Sequence, residues 1–360
     1  MKSLVLLILL VLSLYSYDNL RDKALDKGLK PIPKEFNTLK AQVDDKYNLM
    51  TIPKIQLGKK LFFDKNLSLD RSISCATCHD IKNGGEDAKP TAIGYKQQAN
   101  PSHLNSPTIL NTAFSKHLFW DGRASSLREQ AKGPTQALFE MASTPELVEA
   151  RVKENQEYRQ AFVKIFGEDE ITFDNITKAI AVYEKTLVTR SRYDEFLEGN
   201  ESALTIQEQR GLNLFIDMGC KACHFGSAIG GQKIQKFPLR NYNSILNLTT
   251  TFNEINHNRD FSQVSLSFKM YRPYPFENIG GFLGKDDNRY FRVPILRNIS
   301  KTAPYFHNGV VKTLKEAIEI MAKYQLGLDL KVAQLNALEA FLKSLDGDIV
   351  DYNLTIKELK

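Results

Sequence analysis

An all-α fold in two halves with long loops is predicted by three features of the chain. Apolar residues recur at helical spacing in several stretches. A short pattern, Gly-x-x-Leu-Phe, occurs once per half, as Gly58-Lys59-Lys60-Leu61-Phe62 and Gly211-Leu212-Asn213-Leu214-Phe215. After each comes Cys-x-x-Cys-His: Cys75-Ala76-Thr77-Cys78-His79 and Cys220-Lys221-Ala222-Cys223-His224, which together use all four cysteines of the 360 residues. At 42% hydrophobic, the chain can bury real cores and is long enough for two domains.

In chain order, Met1-Lys2-Ser3 and the apolar run from Leu4 to Leu14 read as a signal peptide over residues 1–16. The run is too short to span a bilayer, and Ser13 or Ser16 supplies a small residue for cleavage. Each Gly-x-x-Leu-Phe lies on an expected helix that packs an aromatic beside its cysteine motif. Twelve residues separate Phe62 from Cys75 and four separate Phe215 from Cys220, so the first site carries an extra loop. Asp174 is the expected N-cap of a helix whose face is Ile176, Ala179, Ile180, Tyr183 and Leu187. Thr205-Ile206-Gln207-Glu208 is a capping box opening the second Gly-x-x-Leu-Phe helix. From Phe225 to Tyr290 the chain is rich in Asn, Thr, Gly and Pro and reads as extended loop with a short hairpin. Leu314, Ala317, Ile318 and Met321 share one helical face, and Leu335, Leu338, Phe341, Leu342 and Leu345 form another stripe, closed by Asp346-Gly347. The expected division is a first domain over 17–200, a second over 201–330, and a C-terminal helix and tail over 331–360 packing back on the first.

Cys-x-x-Cys-His is the attachment signature of c-type haem: both thiols add to haem vinyl groups and the histidine becomes the proximal iron ligand. The competing readings are a redox Cys-x-x-Cys, which needs no following His, and a four-thiolate zinc site. The pairs lie 145 residues apart and a His follows both, which favours two covalent haems in two cytochrome c-like domains. Such haem is attached outside the cytoplasmic membrane, in agreement with export. The net charge of +6 is spread along the chain, with no basic block of the kind nucleic-acid binders carry. It suits the steering of a small redox partner. The second axial position decides between electron transfer and catalysis. The remaining histidines (His103, His117, His257, His307) and six methionines are candidates, and spacing alone does not choose among them.

Further segments resemble the bacterial dihaem cytochrome c peroxidase family, which includes the MauG-type maturation enzymes. They are Asn105-Ser106-Pro107-Thr108, Phe119-Trp120-Asp121-Gly122-Arg123-Ala124, Gln130, Gly133-Pro134, Glu140-Met141, Phe291-Arg292-Val293-Pro294, Leu296-Arg297-Asn298 and Thr302-Ala303-Pro304-Tyr305-Phe306-His307-Asn308-Gly309. With both cysteine motifs they run from Leu57 to Leu345. The resemblance implies that His79 is the proximal ligand of a low-potential haem where peroxide is reduced. It makes His224 the proximal ligand of a high-potential, electron-accepting haem, with Met321 as its distal ligand. Trp120 would relay electrons between the haems, and Gln130 and Glu140 would line the peroxidatic pocket. Asn105, Thr302 and Pro304 would hold one calcium ion between the domains through oxygen ligands, with His307 supporting that interface. Where the family has a capping histidine, sixteen residues after His79, this chain has Tyr95, so the resemblance implies an open or weakly capped haem, with His103 the nearest substitute.

The function so implied is periplasmic reduction of hydrogen peroxide to water with electrons from a small cytochrome c or similar donor, in a protein of a family that often forms homodimers. Nucleic acid is not an expected partner. One alternative is a MauG-like oxidase acting on a protein substrate, which Met321 disfavours because that branch has a Tyr there. The other is a non-catalytic dihaem electron carrier, which Glu140 disfavours. Asp64-Lys65-Asn66-Leu67-Ser68 and Asp351-Tyr352-Asn353-Leu354-Thr355 also fit a bacterial N-glycosylation acceptor at Asn66 and Asn353.

Overall fold

A computed structural model describes residues 19–240 and 274–354. The expected signal segment, much of the 225–290 stretch and His257 lie outside the described residues. The chain is mostly helical, as expected. Among the described residues the α-helices are α1 (Leu20–Asp26), α2 (Phe36–Val43), α3 (Ile52–Phe62), α4 (Cys75–Cys78), α5 (Leu127–Gln136), α6 (Pro145–Glu154), α7 (Gln156–Phe166), α8 (Phe173–Glu184), α9 (Arg192–Leu197), α10 (Ile206–Asp217), α11 (Leu314–Met321) and α12 (Val332–Ser344). Four short strands among the described residues make two ribbons: β1 (Thr189–Arg190) pairs with β4 (Asp348–Ile349), and β2 (Ile234–Lys236) with β3 (Tyr290–Arg292), both antiparallel.

Two main apolar cores form, each built on one close helix crossing. In the first, α3 crosses α8 where a Cβ on Gly58 would stand 1.9 Å from the Ala179 carbonyl oxygen and 2.9 Å from the Tyr183 Cβ. In the second, α10 crosses α12 where a Cβ on Gly211 would stand 2.0 Å from the Ala337 oxygen and 2.6 Å from the Phe341 Cβ. The same construction thus occurs twice, with glycine where two backbones touch. Leu61 and Phe62 are fully buried beyond the first crossing, as is Leu212 at the second, each contributing about 1.5–3 kcal/mol by burial. The capping box on α10 forms: Thr205 N–H donates to Glu208 Oε2 (2.7 Å) and Glu208 N–H to Thr205 Oγ1 (3.3 Å). On α8 the cap is Thr172, whose Oγ1 accepts from Asn175 N–H (3.2 Å), and not Asp174. Both residue types cap well. Asp174 lies inside the first turn and faces Lys132 (2.6 Å) and Lys178 (3.0 Å).

Three features correct the expected division of the chain. Helix α1 and Leu29 pack in the second core, with Leu29 bridged to Gly226 just past the second cysteine motif. Tyr193, Phe196 and Leu197 of α9 belong to the second core too, so the change of core falls before residue 192 and not at 200. Helix α12 packs on α10, because its Leu338, Phe341, Leu342 and Leu345 face the second core and not the first. Only the tail beyond it returns: β4 joins β1, Tyr352 Oη donates to the Pro33 carbonyl (3.0 Å), and Leu354 packs on the first core. Residues 20–29 therefore pack on the second half and residues 348–354 on the first.

Candidate haem centres

At the first motif, the turn α4 begins where Ser74 N–H donates to Thr77 Oγ1 (3.0 Å). His79 follows, with Nδ1 3.2 Å from the Gly85 carbonyl oxygen. A carbonyl only accepts, so the proton sits on Nδ1 and Nε2 keeps its lone pair free for a metal. Burial lowers His79 to about 4, so the imidazole is neutral. Burial pushes the Cys75 thiol up and Cys78 up to about 12, so both stay protonated at neutral pH. This is not a preformed thiolate site, and among the described residues no three His, Cys, Asp or Glu side chains are grouped to hold a metal ion. Thioether attachment with a histidine ligand fits the geometry; zinc does not.

A hairpin from Ala92 to Leu104 closes over this motif, with the Cys78 Sγ 4.0 Å from the Ile93 oxygen. At its tip Gly94 passes so close to the next segment that a Cβ would stand 2.0 Å from the Phe139 oxygen, and Tyr95 N–H donates to the Glu140 oxygen (2.7 Å). Cys78, Tyr95 and Glu140 are thereby brought together. The Glu140 side chain is half-buried; burial raises its pKa, the Arg123 charge offsets part of that, and its own charge is felt at the Cys78 thiol. Gln130 lies half-buried in mid-α5. His103 is elsewhere, at the base of the hairpin, where its Cβ would stand 2.6 Å from a Cβ on Gly280. The structure adds a residue the sequence did not single out: Glu184, at the end of α8, is buried with Oε2 unpartnered, is pushed up to about 8 by burial, and acts electrostatically on Cys75.

At the second motif, Cys220, Cys223, His224 and Met321 line one cavity. His224 is buried and lowered to about 4, again a neutral imidazole. The backbone of Ile229 and Pro294 acts on the ring, and its buried Nδ1 has no hydrogen-bond partner. Met321 ends α11, where the helix widens into a π turn over Ala322–Leu326. Phe215, Leu338 and Leu342 give the cavity apolar walls. Arg292 also lines it, buried, with Nε unpartnered. The sequence offered Arg292 only inside a longer segment, and nothing local marks it as buried. His307 sits in the wall with Nε2 3.1 Å from Asn278 Oδ1, stacked on Phe291 at 4.9 Å. His117 is half-buried outside that cavity.

Asn105 and Trp120 join the two sites. Trp120 lines the second cavity and its Nε1–H donates to the Asn105 oxygen (2.8 Å). The Asn105 amide reaches the Lys89 carbonyl (2.7 Å), ten residues past His79, and the Pro304 carbonyl (3.4 Å), and Asn105 N–H donates to the His307 oxygen. Asn105 and Pro304 are brought together, with Thr302 in the same wall and its Oγ1–H turned to the Ile299 oxygen (3.1 Å).

The family model described as di-haem cytochrome c peroxidase matches residues 53–202. Cytochrome c551 peroxidase of Nitrosomonas europaea is 41% identical over 307 residues, 84% of this chain and 82% of that protein. Cytochrome c551 peroxidase of Pseudomonas aeruginosa is 40% identical over 336 residues, 92% of this chain and 87% of that protein. Among solved structures, a MauG-like protein associated with microbial copper homeostasis superposes with a TM-score of 0.68 at 25% identity, covering 92% of this chain and 96% of that one.

Proposed function

This chain belongs to the di-haem cytochrome c peroxidase family and is a peroxidase, and on that premise we propose that it reduces hydrogen peroxide to water in the periplasm, drawing electrons from a small cytochrome c. Family membership implies two haems, and the two cysteine motifs, each beside its own apolar core, are where they would attach, one per cytochrome c-like half. Each turnover takes two electrons and two protons per peroxide and yields two waters. Bound haem supplies an iron that exchanges single electrons, and at the His79 site a coordination position for peroxide.

The rest is the work of this chain's residues. The His224 and Met321 pair gives the second site a set that raises potential, suited to electron uptake. Trp120, on the wall of that cavity and tied through Asn105 to the loop after His79, is the relay toward the first site. There Glu140 takes a proton from one peroxide oxygen and returns it to the departing one, while the Gln130 amide hydrogen-bonds the substrate. Calcium is assigned to Asn105, Thr302 and Pro304, whose oxygens suit a hard cation, and a homodimer is the expected assembly.

One observation carries the reading: Glu140 is tied to the hairpin over the first motif by the Tyr95 N–H, and burial raises its carboxyl, which makes the carboxylate a stronger base than an ordinary glutamate's and better able to hold the proton it takes. A carrier has no use for such a group. The test is peroxide-dependent oxidation of reduced small cytochrome c, with mass spectrometry for two haems and a redox titration for two separated steps. No peroxide-dependent turnover would leave the carrier reading. Met321→His should lower the upper step sharply; an unmoved step would return Met321 to the core.

A further inference from the structure

Arg292, in the wall of the second cavity, is a buried charge that its surroundings leave unpaired. The residue is 2% exposed, and among the described residues its guanidinium makes no hydrogen bond or ion pair, with Nε wholly unpartnered. The contrast is Arg297, also fully buried, which is met by both Asp194 oxygens (2.7 and 2.8 Å) and by the Ser227 carbonyl. Burial lowers Arg292 only to about 10, so the guanidinium is still charged at neutral pH. A buried charge without a counter-ion is strongly disfavoured. An anion bound in the cavity that Arg292 lines would relieve that cost.

The position of Arg292 is fixed from the main chain. It pairs with Ile234 across the β2–β3 ribbon, and its N–H donates to the Trp120 carbonyl (2.8 Å). Arg292 lines a cavity whose other lining residues include Cys220, Cys223, His224 and Met321. A group bound there through two thioethers and a histidine is a porphyrin, and its only anions are two propionates. A guanidinium is planar and presents paired N–H groups that match a carboxylate.

We propose that Arg292 is the counter-ion of a propionate on the haem attached at Cys220 and Cys223, fixing that edge of the haem beside Trp120. Neutralising the propionate removes an anion that would otherwise favour the oxidised, more positive haem. Arg292 therefore helps hold the second potential high, in addition to Met321. This rests on the haem reading of that cavity.

Two measurements test it on the holoprotein. A crystal structure of the wild type, needing no variant, should place a propionate oxygen within about 3.2 Å of an Arg292 nitrogen. A propionate bonded elsewhere, with Arg292 facing away, overturns the assignment. In Arg292→Gln the resonance Raman propionate-bending band of the second haem should shift to lower frequency. Its oxidised-to-reduced ratio at a fixed applied potential should rise about tenfold, equivalent to about 59 mV for one electron. Arg292→Lys, which keeps the charge and loses the fork, should fall between. A Gln variant with two haems by mass, an unchanged band and an unchanged potential overturns the proposal. A chain carrying no haem mass on Cys220 and Cys223 overturns the haem reading itself.

Discussion

Glu140 takes its chemistry from where its carboxyl is put. Glu140→Gln keeps the shape and removes the proton carrier, so haem content and electron uptake should be unchanged while peroxidase turnover drops about 10²–10⁴-fold, the range of a positioned acid–base group; stopped-flow kinetics with peroxide checks this. Tyr95 shares the Glu140 backbone through its N–H, so the hairpin tip faces the first site. With tyrosine there, the oxidised protein should show a high-spin first haem by electron paramagnetic resonance and should bind cyanide without prior reduction. Tyr95→His should give a low-spin resting state, and Tyr95→Phe should change little. For His103 to do the capping, the hairpin base would have to open, breaking the Ala92 N–H to Leu104 oxygen bond and leaving Gly280. A low-spin resting spectrum that becomes high-spin in His103→Ala would name that residue the gate. At this scale the sequence displayed what is local: Cys-x-x-Cys-His carries its chemistry in five adjacent residues. It did not display Glu184 or Arg292, because burial of a charged side chain depends on segments far away in the chain.

Among the elements, the two crossings set the frame. Gly58 and Gly211 have ordinary helical backbone, so their requirement is contact and not conformation: a methyl group at either would overlap a facing carbonyl by more than 1 Å. Gly211→Ala should therefore push α10 from α12 and cost about 1–3 kcal/mol, the usual range for overpacking. Denaturant unfolding with the far-ultraviolet helix signal measures it. The second haem should loosen with it, since Phe215 on α10 lies 6.4 Å from His224, ring to ring. Thermal melts in which Gly211→Ala matches the wild type would show that the crossing relaxes freely. The periodic faces of α8, α11 and α12 were readable because a 3.6-residue repeat is a property of one segment. That α12 would settle on α10 was not readable, since the stripe states only that some apolar partner exists. The choice of Thr172 over Asp174 as cap escaped for a related reason: either side chain can accept the bond, and the helix starts at Phe173, earlier than the apolar face alone indicates.

Across the whole molecule, one buried ion pair gathers segments that lie far apart in the chain. Arg297 and Asp194 are both fully buried. Arg297 also donates to the Ser227 and Lys30 carbonyls, and Asp194 accepts from the Ile32 N–H (2.7 Å) and the Ser191 N–H (2.8 Å). The arm after α1, the start of α9, the loop past the second cysteine motif and residue 297 thus meet at two side chains. That explains how an N-terminal arm is held on the second core, an arrangement no local pattern in residues 19–32 announces. The two partners should not be equivalent. Asp194→Ala strands a buried guanidinium and two backbone N–H groups, whereas Arg297→Met leaves a carboxylate still met by both of those N–H groups. Breaking a buried pair from one side costs about 3–5 kcal/mol. Asp194→Ala should lie at or above the top of that range and Arg297→Met near its foot. Limited proteolysis should then cut the arm between α1 and α2 faster in Asp194→Ala than in Arg297→Met, because the aspartate accepts the Ile32 N–H at 2.7 Å whereas Arg297 reaches the arm only through the longer bond to the Lys30 carbonyl (3.4 Å). Equal unfolding free energies and equal cleavage rates would mean that the arm is held by its apolar contacts at Ala24 and Leu29 and that the ion pair is incidental to it.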